Sequence, residues 1–342
     1  MRSFAVLSSL VGCAALMGGV LPSGGLSDPS AAASLASIER SAAVLAPGTI
    51  FVANASAGFE GGLGTGNGSV TAYRPTARGD ERPLLVLTKG ILDPTGLIFD
   101  SSGDLWVGNN SNSNNVVEYS KAELIAASPS PTVTMSESGG GAMGLAFDSS
   151  GDLWITKTNF TAVELTKAQL AESGSPVPEV TITNTNQCSV AFDSFGNMWE
   201  GGFDTVVHEF TPTQLAASGS PTPLVTVSSD SLNMPCQPTF DSAGDMWAAN
   251  YLGNTVVEFT KAQLAKSGSP TARVTISSDY LANPGDVAFD PGGDLWVPSA
   301  QDEAVVEFTK AQLARSGTPM PARALYGRST GLSWPWALAV EP

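Results

Sequence analysis

Five segments of this chain repeat one another in register: FDSSGDLW (99–106), FDSSGDLW (147–154), FDSFGNMW (192–199), FDSAGDMW (240–247) and FDPGGDLW (289–296). Their phenylalanines are spaced by 48, 45, 48 and 49 residues. A second block follows each tryptophan (VVEYSKAEL, AVELTKAQL, VHEFTPTQL, VVEFTKAQL, VVEFTKAQL), and after it comes a short run such as VTISS. Self-similarity at this period marks a supersecondary unit that buries its apolar faces only against its neighbours. Each unit reads as four short strands. The first is apolar and ends in Phe-Asp. An Asp-x-x-Gly-Asp/Asn turn follows, in which Asp accepts backbone N–H bonds and Gly takes positive φ. Leu-Trp opens the second strand, the alternating Val-Val-Glu-Phe is the third, and the VTIS-type run is the fourth. Four strands in 45 to 50 residues is the length of one propeller blade, so the class is all-β, with four antiparallel strands per blade.

The two ends of the chain complete the count. GTIFV (48–52) matches GDLWV (103–107) but has no Phe-Asp strand directly before it. PWALAVEP (335–342) matches PTGLIFDS (94–101) but has no tryptophan strand after it. The halves are complementary, which predicts that the C-terminal strand is the innermost strand of the first blade and removes open sheet edges. Phe51, Trp106, Trp154, Trp199, Trp247 and Trp296 then count six blades and read as inter-blade core. Between third and fourth strands, Ser120/Glu123, Thr166/Gln169, Thr211/Gln214, Thr260/Gln263 and Thr309/Gln312 fit a capping box and predict one helical turn each. Gly174, Gly219, Gly268 and Gly317 are expected to end those turns. Glu118, Glu164, Glu209, Glu258 and Glu307 recur in the third strands and read as repeat architecture, with solvent or lysines such as Lys261 as partners.

The chain carries 16 basic and 32 acidic side chains, a net charge of −16. Such a surface repels polyanions, so neither nucleic acid nor an anionic membrane is an expected partner. Residues 1–26 have the layout of an export signal: Met1-Arg2-Ser3 as a basic start, then an apolar stretch over 4–21. Leu10-Val11-Gly12-Cys13 also resembles a lipobox, so plain secretion and a lipid-anchored envelope protein both stay open. No other segment reaches the roughly 18 apolar residues that span a bilayer. Residues 27–46 are Ala/Ser-rich and read as a linker; 47–342 is the propeller, expected outside the cell or in the envelope as a monomer.

The turns between strands one and two and the connectors between strands three and four are uniform and read as structural. The loops joining strands two to three and four to one vary, share the opposite face, and are the expected functional surface. The longest, 53–68, is glycine-rich but lacks the Lys-Ser/Thr of a phosphate loop. Four residues before each blade phenylalanine, or its equivalent Val340, stand Thr95, Met143, Cys188, Cys236, Gly285 and Trp336, expected to line the channel mouth. Cys188 and Cys236 are equivalent positions on adjacent inner strands. A disulfide, two free thiols, and a soft-metal site with Met143 remain open readings. The single histidine, His208, replaces a third-strand valine and reads as packed between blades.

The repeated D-x-x-G-D/N-L-W resembles NHL-repeat proteins, and also the gluconolactonase/senescence-marker family and the virginiamycin B (streptogramin) lyases, over residues 47–342. The resemblance implies a six-bladed propeller. Lactonases of that group hold a divalent cation with Glu, Asn and Asp near the starts of inner strands, often after Pro-Asn-Gly. Here that stretch is Pro94-Thr95-Gly96, and the ring around it offers no carboxylate or amide. Asn54, Asn109 and Asn250, three residues after the strand-two aromatic, are left with Asp286 as oxygen donors for a calcium-like ion, Gln237 standing one position along like Asp286. The lyases depend on histidines, and His208 lies away from the variable loops. The expected function is therefore a secreted binding or scaffold module that takes a protein, glycan or small ligand on its variable face. A metal-dependent lactonase is the alternative, with a lyase behind it.

Overall fold

The computed structural model describes residues 37, 39–55, 68–111, 115–136, 139–185, 188 and 190–342. The expected signal (1–26), Cys13, most of the linker and most of the 53–68 loop lie outside the described residues. No described helix is long and apolar enough to cross a membrane. From Arg40 to Pro342 the chain forms one compact unit of six four-stranded antiparallel sheets.

From the axis outward, blade 1 consists of Pro335–Val340, Ile50–Ala55, Gly68–Tyr73 and Leu85–Leu87, and blade 2 of Pro94–Phe99, Leu105–Asn109, Val116–Tyr119 and Val133–Met135. Blade 3 is Ala142–Phe147, Leu153–Lys157, Thr161–Leu165 and Val180–Thr183; blade 4 is Ala191–Phe192, Met198–Gly201, Val206–Phe210 and Val225–Ser228. Blade 5 is Pro235–Phe240, Met246–Asn250, Thr255–Phe259 and Val274–Ser277; blade 6 is Ala288–Phe289, Leu295–Ser299, Ala304–Phe308 and Arg323–Tyr326.

The ring closes as the sequence predicts. The C-terminal strand pairs antiparallel with the first, Ile50 opposite Val340 and Val52 opposite Leu338, with a bulge at Ala53/Asn54. The chain ends even rebuild the repeat's turn. Elsewhere the Asp100 N–H donates to the Asp104 carbonyl, and the Gly103 N–H to the Asp100 carbonyl. Here Glu341 donates to the Thr49 carbonyl and Gly48 to the Glu341 carbonyl, so a glutamate stands in the aspartate's place across a chain break.

Each Asp-x-x-Gly turn is held by its first aspartate. Asp100 accepts from the Ser102 and Asp104 N–H groups through Oδ1, and from the Trp106 indole through Oδ2 at 3.3 Å. The glycine takes φ near +80° at Gly103, Gly151, Gly196, Gly244 and Gly293, where a Cβ would be strained. The tryptophans sit between blades. Trp106, Trp154, Trp199 and Trp247 each meet the phenylalanine of the next blade edge-on, with centroids 6.0 to 6.1 Å apart, and Phe51 meets Phe99 at 5.1 Å. Edge-to-face pairs of this kind contribute about 1 kcal/mol each beyond the area they bury.

The capping boxes form. Thr211 and Thr260 accept from the Gln214 and Gln263 N–H groups, and those glutamine side chains accept from the cap backbones. At Ser120 only half of the box is made, because the Glu123 carboxylate turns to the Ser130 N–H. The glycines that follow do not end the helices. Gly174 donates to the Thr134 carbonyl and accepts from the Ser136 N–H, bridging to the outer strand of the preceding blade; Gly219, Gly268 and Gly317 do the same. Their φ is not positive and nothing lies within 4 Å of a Cβ placed there, so neither backbone angle nor space demands glycine in this strap, which ties one blade to the last.

Candidate functional site

Along the inner strands of blades 2, 3, 5 and 6, exposure rises toward the Phe-Asp end. Residues 94–97 are buried, 98–100 half-buried and 101–102 exposed, and residues 142–150, 235–242 and 284–291 follow the same course. The channel therefore opens on the face of the uniform turns. At its other end Thr95, Met143, Cys188, Cys236, Gly285 and Trp336 are all buried. They form a plug and not the open mouth that the strand register alone suggests. Tyr251, carried by the loop after the second strand of blade 5, packs tilted against Trp336, with ring centroids 5.2 Å apart. Cys188 and Cys236 are free thiols within hydrogen-bonding reach of one another, and burial pushes the Cys236 thiol well up.

Below the plug lies a cavity of 690 Å³. Leu97, Leu145, Val190, Val287 and Leu338 line its walls, and Phe99, Phe147, Phe192, Phe240 and Phe289 stand toward its mouth. At its inner end the strands carry Gly96, Gly144 and Ala337 at the register position that holds two large polar side chains in other blades, Gln237 and Asp286. The Gln237 amide points at the Thr95 and Met143 carbonyls, both 3.5 Å away. Asp286 accepts from the Val287 N–H at 2.7 Å and the Leu338 N–H at 2.8 Å. Burial outweighs those two bonds and pushes its carboxyl up to about 8.

The three candidate asparagines have both ends of their amides engaged. Asn109 accepts from the Leu92 N–H and donates to the Gly90 carbonyl, and Asn250 accepts from Asn233 and donates to the Ser231 carbonyl. Asn54 accepts from the Ser333 N–H and donates to Thr71. Each amide fixes the loop that leads into its blade's inner strand, a structural duty that reusing the same offset in three blades already hints at. His208 lies mid-strand in blade 4, with Nδ1 3.1 Å from the Thr226 hydroxyl, and burial lowers its pKa.

The third-strand glutamates meet the turn aspartates. Asp148/Asp152/Glu164, Asp241/Asp245/Glu258 and Asp290/Asp294/Glu307 each bring carboxylate oxygens within 4.8 Å of one another. Burial first, and the aspartate charges second, push Glu118 and Glu164 up to about 7; Glu307 reaches about 7 although Arg323 opposes the shift. Arg273 and Arg323 pair with Glu258 and Glu307. For Glu258 and Glu307 the partner is thus an arginine, neither solvent nor a lysine; the Lys261 ammonium lies 4.4 Å over the Phe195 ring.

The loop face carries a different signal. Phe160, Phe203 and Leu252, on the loops after the second strands of blades 3, 4 and 5, are 54%, 40% and 55% exposed, and Tyr280 on the loop that leads into blade 6 is 38% exposed. Asp204, Asp230, Asp279, Asp302 and Glu303 are exposed beside them.

No family model matches the chain, and no curated protein does. Solved structures do. A chain of a nidogen/laminin complex superposes with a TM-score of 0.60 at 13% identity, over 86% of this chain and 99% of that one. A protein of unknown function from Bacteroides caccae gives 0.60 at 11% identity, over 86% and 98%. A streptogramin B lyase gives 0.47 at 14% identity, over 79% and 91%. At these identities the likeness bears on the fold, and the chain is a six-bladed β-propeller.

Proposed function

We propose that this chain is an exported, NHL-like binding propeller that docks a protein partner on its loop face. The carrying observation is the arc of exposed Phe160, Phe203, Leu252 and Tyr280 on consecutive blades. Large apolar side chains clustered on one face of a soluble protein, rimmed by polar groups, mark an interaction surface. The rim here is acidic, which selects a partner with a basic, apolar surface and speeds its encounter. Their loops are pre-set: Tyr251 donates to the Met234 carbonyl, and Asn254 accepts from the Asn283 N–H, so little ordering cost remains on binding. The lactonase alternative is the weaker reading, because the asparagine amides it would use already hold loop backbone.

A photoreactive phenylalanine analogue placed at Phe203, in cells that make the protein, tests this against the same residue at Val177. That side chain is 82% exposed in the connector between the third and fourth strands of blade 3. The expected result is a discrete adduct from position 203 only, lost when Asp204, Asp279 and Asp302 are changed to lysine. The same adducts from both positions, or an adduct indifferent to the charge reversal, overturn the proposal.

A further inference from the structure

The central cavity is independent of the loop face and opens on the opposite side of the ring. Its 690 Å³ lies in the range that encloses a small organic ligand. Among the described residues, its lining holds no lysine, arginine or histidine. At its inner end stands the acid Asp286, 7% exposed, whose carboxylate accepts from the uncharged Val287 and Leu338 backbone N–H groups. Among the described residues, the groups acting on Asp286 include no positive charge. Blade 1's inner strand faces it with Trp336 and Leu338, and blade 5's inner strand with Gln237 and the Cys236 thiol, whose pKa the Asp286 charge raises. At the mouth, Asp100 and Ser101 border the cavity with the ring of phenylalanines. An acidic, aromatic-rimmed mouth attracts cations and gives an ammonium aromatic faces to pass.

We propose that this cavity binds an organic ammonium with an apolar, aromatic-sized body, the ammonium seated against the Asp286 carboxylate and the body against the aliphatic walls. A buried carboxylate without a cationic partner is costly, and a ligand that brings the charge removes that cost. The proton balance follows. Below about pH 8 the free carboxyl is largely protonated, so an ammonium binds by displacing that proton to solvent. Affinity then weakens as pH falls, by about tenfold per unit well below the group's pKa, and is level above it.

Titration calorimetry of the full chain with 4-phenylbutylamine, 4-phenylbutan-1-ol and 4-phenylbutyrate reads this directly. The amine is expected to bind at least about tenfold more tightly than the alcohol at pH 8.5, as a charge-assisted hydrogen bond would give, and the carboxylate not at all. At pH 6.5, comparing buffers of different ionisation enthalpy should show nearly one proton released per amine bound, and at pH 9 none. Asp286→Asn should bring the amine down to the alcohol's affinity and leave the alcohol unchanged. Equal affinities for amine and alcohol in the wild-type chain overturn the proposal, as does amine binding without proton release at pH 6.5, or no binding of any probe at millimolar concentration. The wild-type comparisons decide the matter even where the variant folds poorly.

Discussion

Removal of residues 335–342 is expected to leave a chain that is insoluble when expressed and shows no cooperative unfolding. The loss is not a frayed terminus. Trp336, Ala337, Leu338 and Ala339 are buried, and the strand supplies the inner partners of Ile50–Asn54. It also supplies the Leu338 N–H that holds Asp286 and the Glu341 carbonyl that Gly48 bonds. Without it the first blade is a three-stranded sheet with an open apolar edge inside the channel, and blades 2 and 6 lose the neighbour between them. The net stability of a domain is only about 5–15 kcal/mol, so the loss of one inner strand exceeds it. A circular permutant makes the control. Joining residue 342 to residue 47 and opening the chain within the exposed connector near Val177 keeps the strand, and should be soluble with a single unfolding transition. A soluble, cooperatively unfolding truncation would contradict the closure.

Gly285→Val is expected to lower stability by about 4 kcal/mol or more, the range of the severest packing defects. A Cβ at Gly285 would lie 2.3 Å from the Trp336 carbonyl oxygen, a separation that neither backbone can widen without parting the inner strands of blades 6 and 1. Its φ is not in the left-handed region, so the cost is one of space alone. Gly317→Ala is the matched control: nothing lies within 4 Å of its Cβ position, and the change removes unfolded-state freedom. It should be neutral or stabilising by up to about 1 kcal/mol. Chemical denaturation with equal m-values reads both. A mild effect at Gly285, or equal effects at the two glycines, would contradict the tight plug.

Much of the fold was legible because the repeat fixes each position six times over. The phenylalanine spacing gives the blades, and the unmatched halves at 48–52 and 335–342 give the closure. What the register could not tell was which end of the channel is filled. Thr95, Met143, Cys188, Cys236, Gly285 and Trp336 are all buried, and Tyr251, brought in from a loop of another strand, packs against Trp336. Asp286 was visible as an acid one step along, yet its placement uses the Leu338 N–H of the closing strand, a relation between two blades that no single repeat displays. The strap glycines misled for a similar reason. Gly174 follows a helical turn at the distance of a C-cap, while its actual partners, Thr134 and Ser136, belong to the preceding blade.

The measurement that bears most directly on this account is thiol labelling of the native protein with a methanethiosulfonate ethylammonium reagent, mapped by peptide mass. Thr239 lines the cavity and is half-buried, and Thr239→Cys is close to isosteric. A channel closed at the loop face and open at the turn face predicts rapid modification at position 239, with Cys188 and Cys236 untouched until the chain is unfolded. Modification of Cys188 or Cys236 in the native state, with position 239 protected, would contradict it.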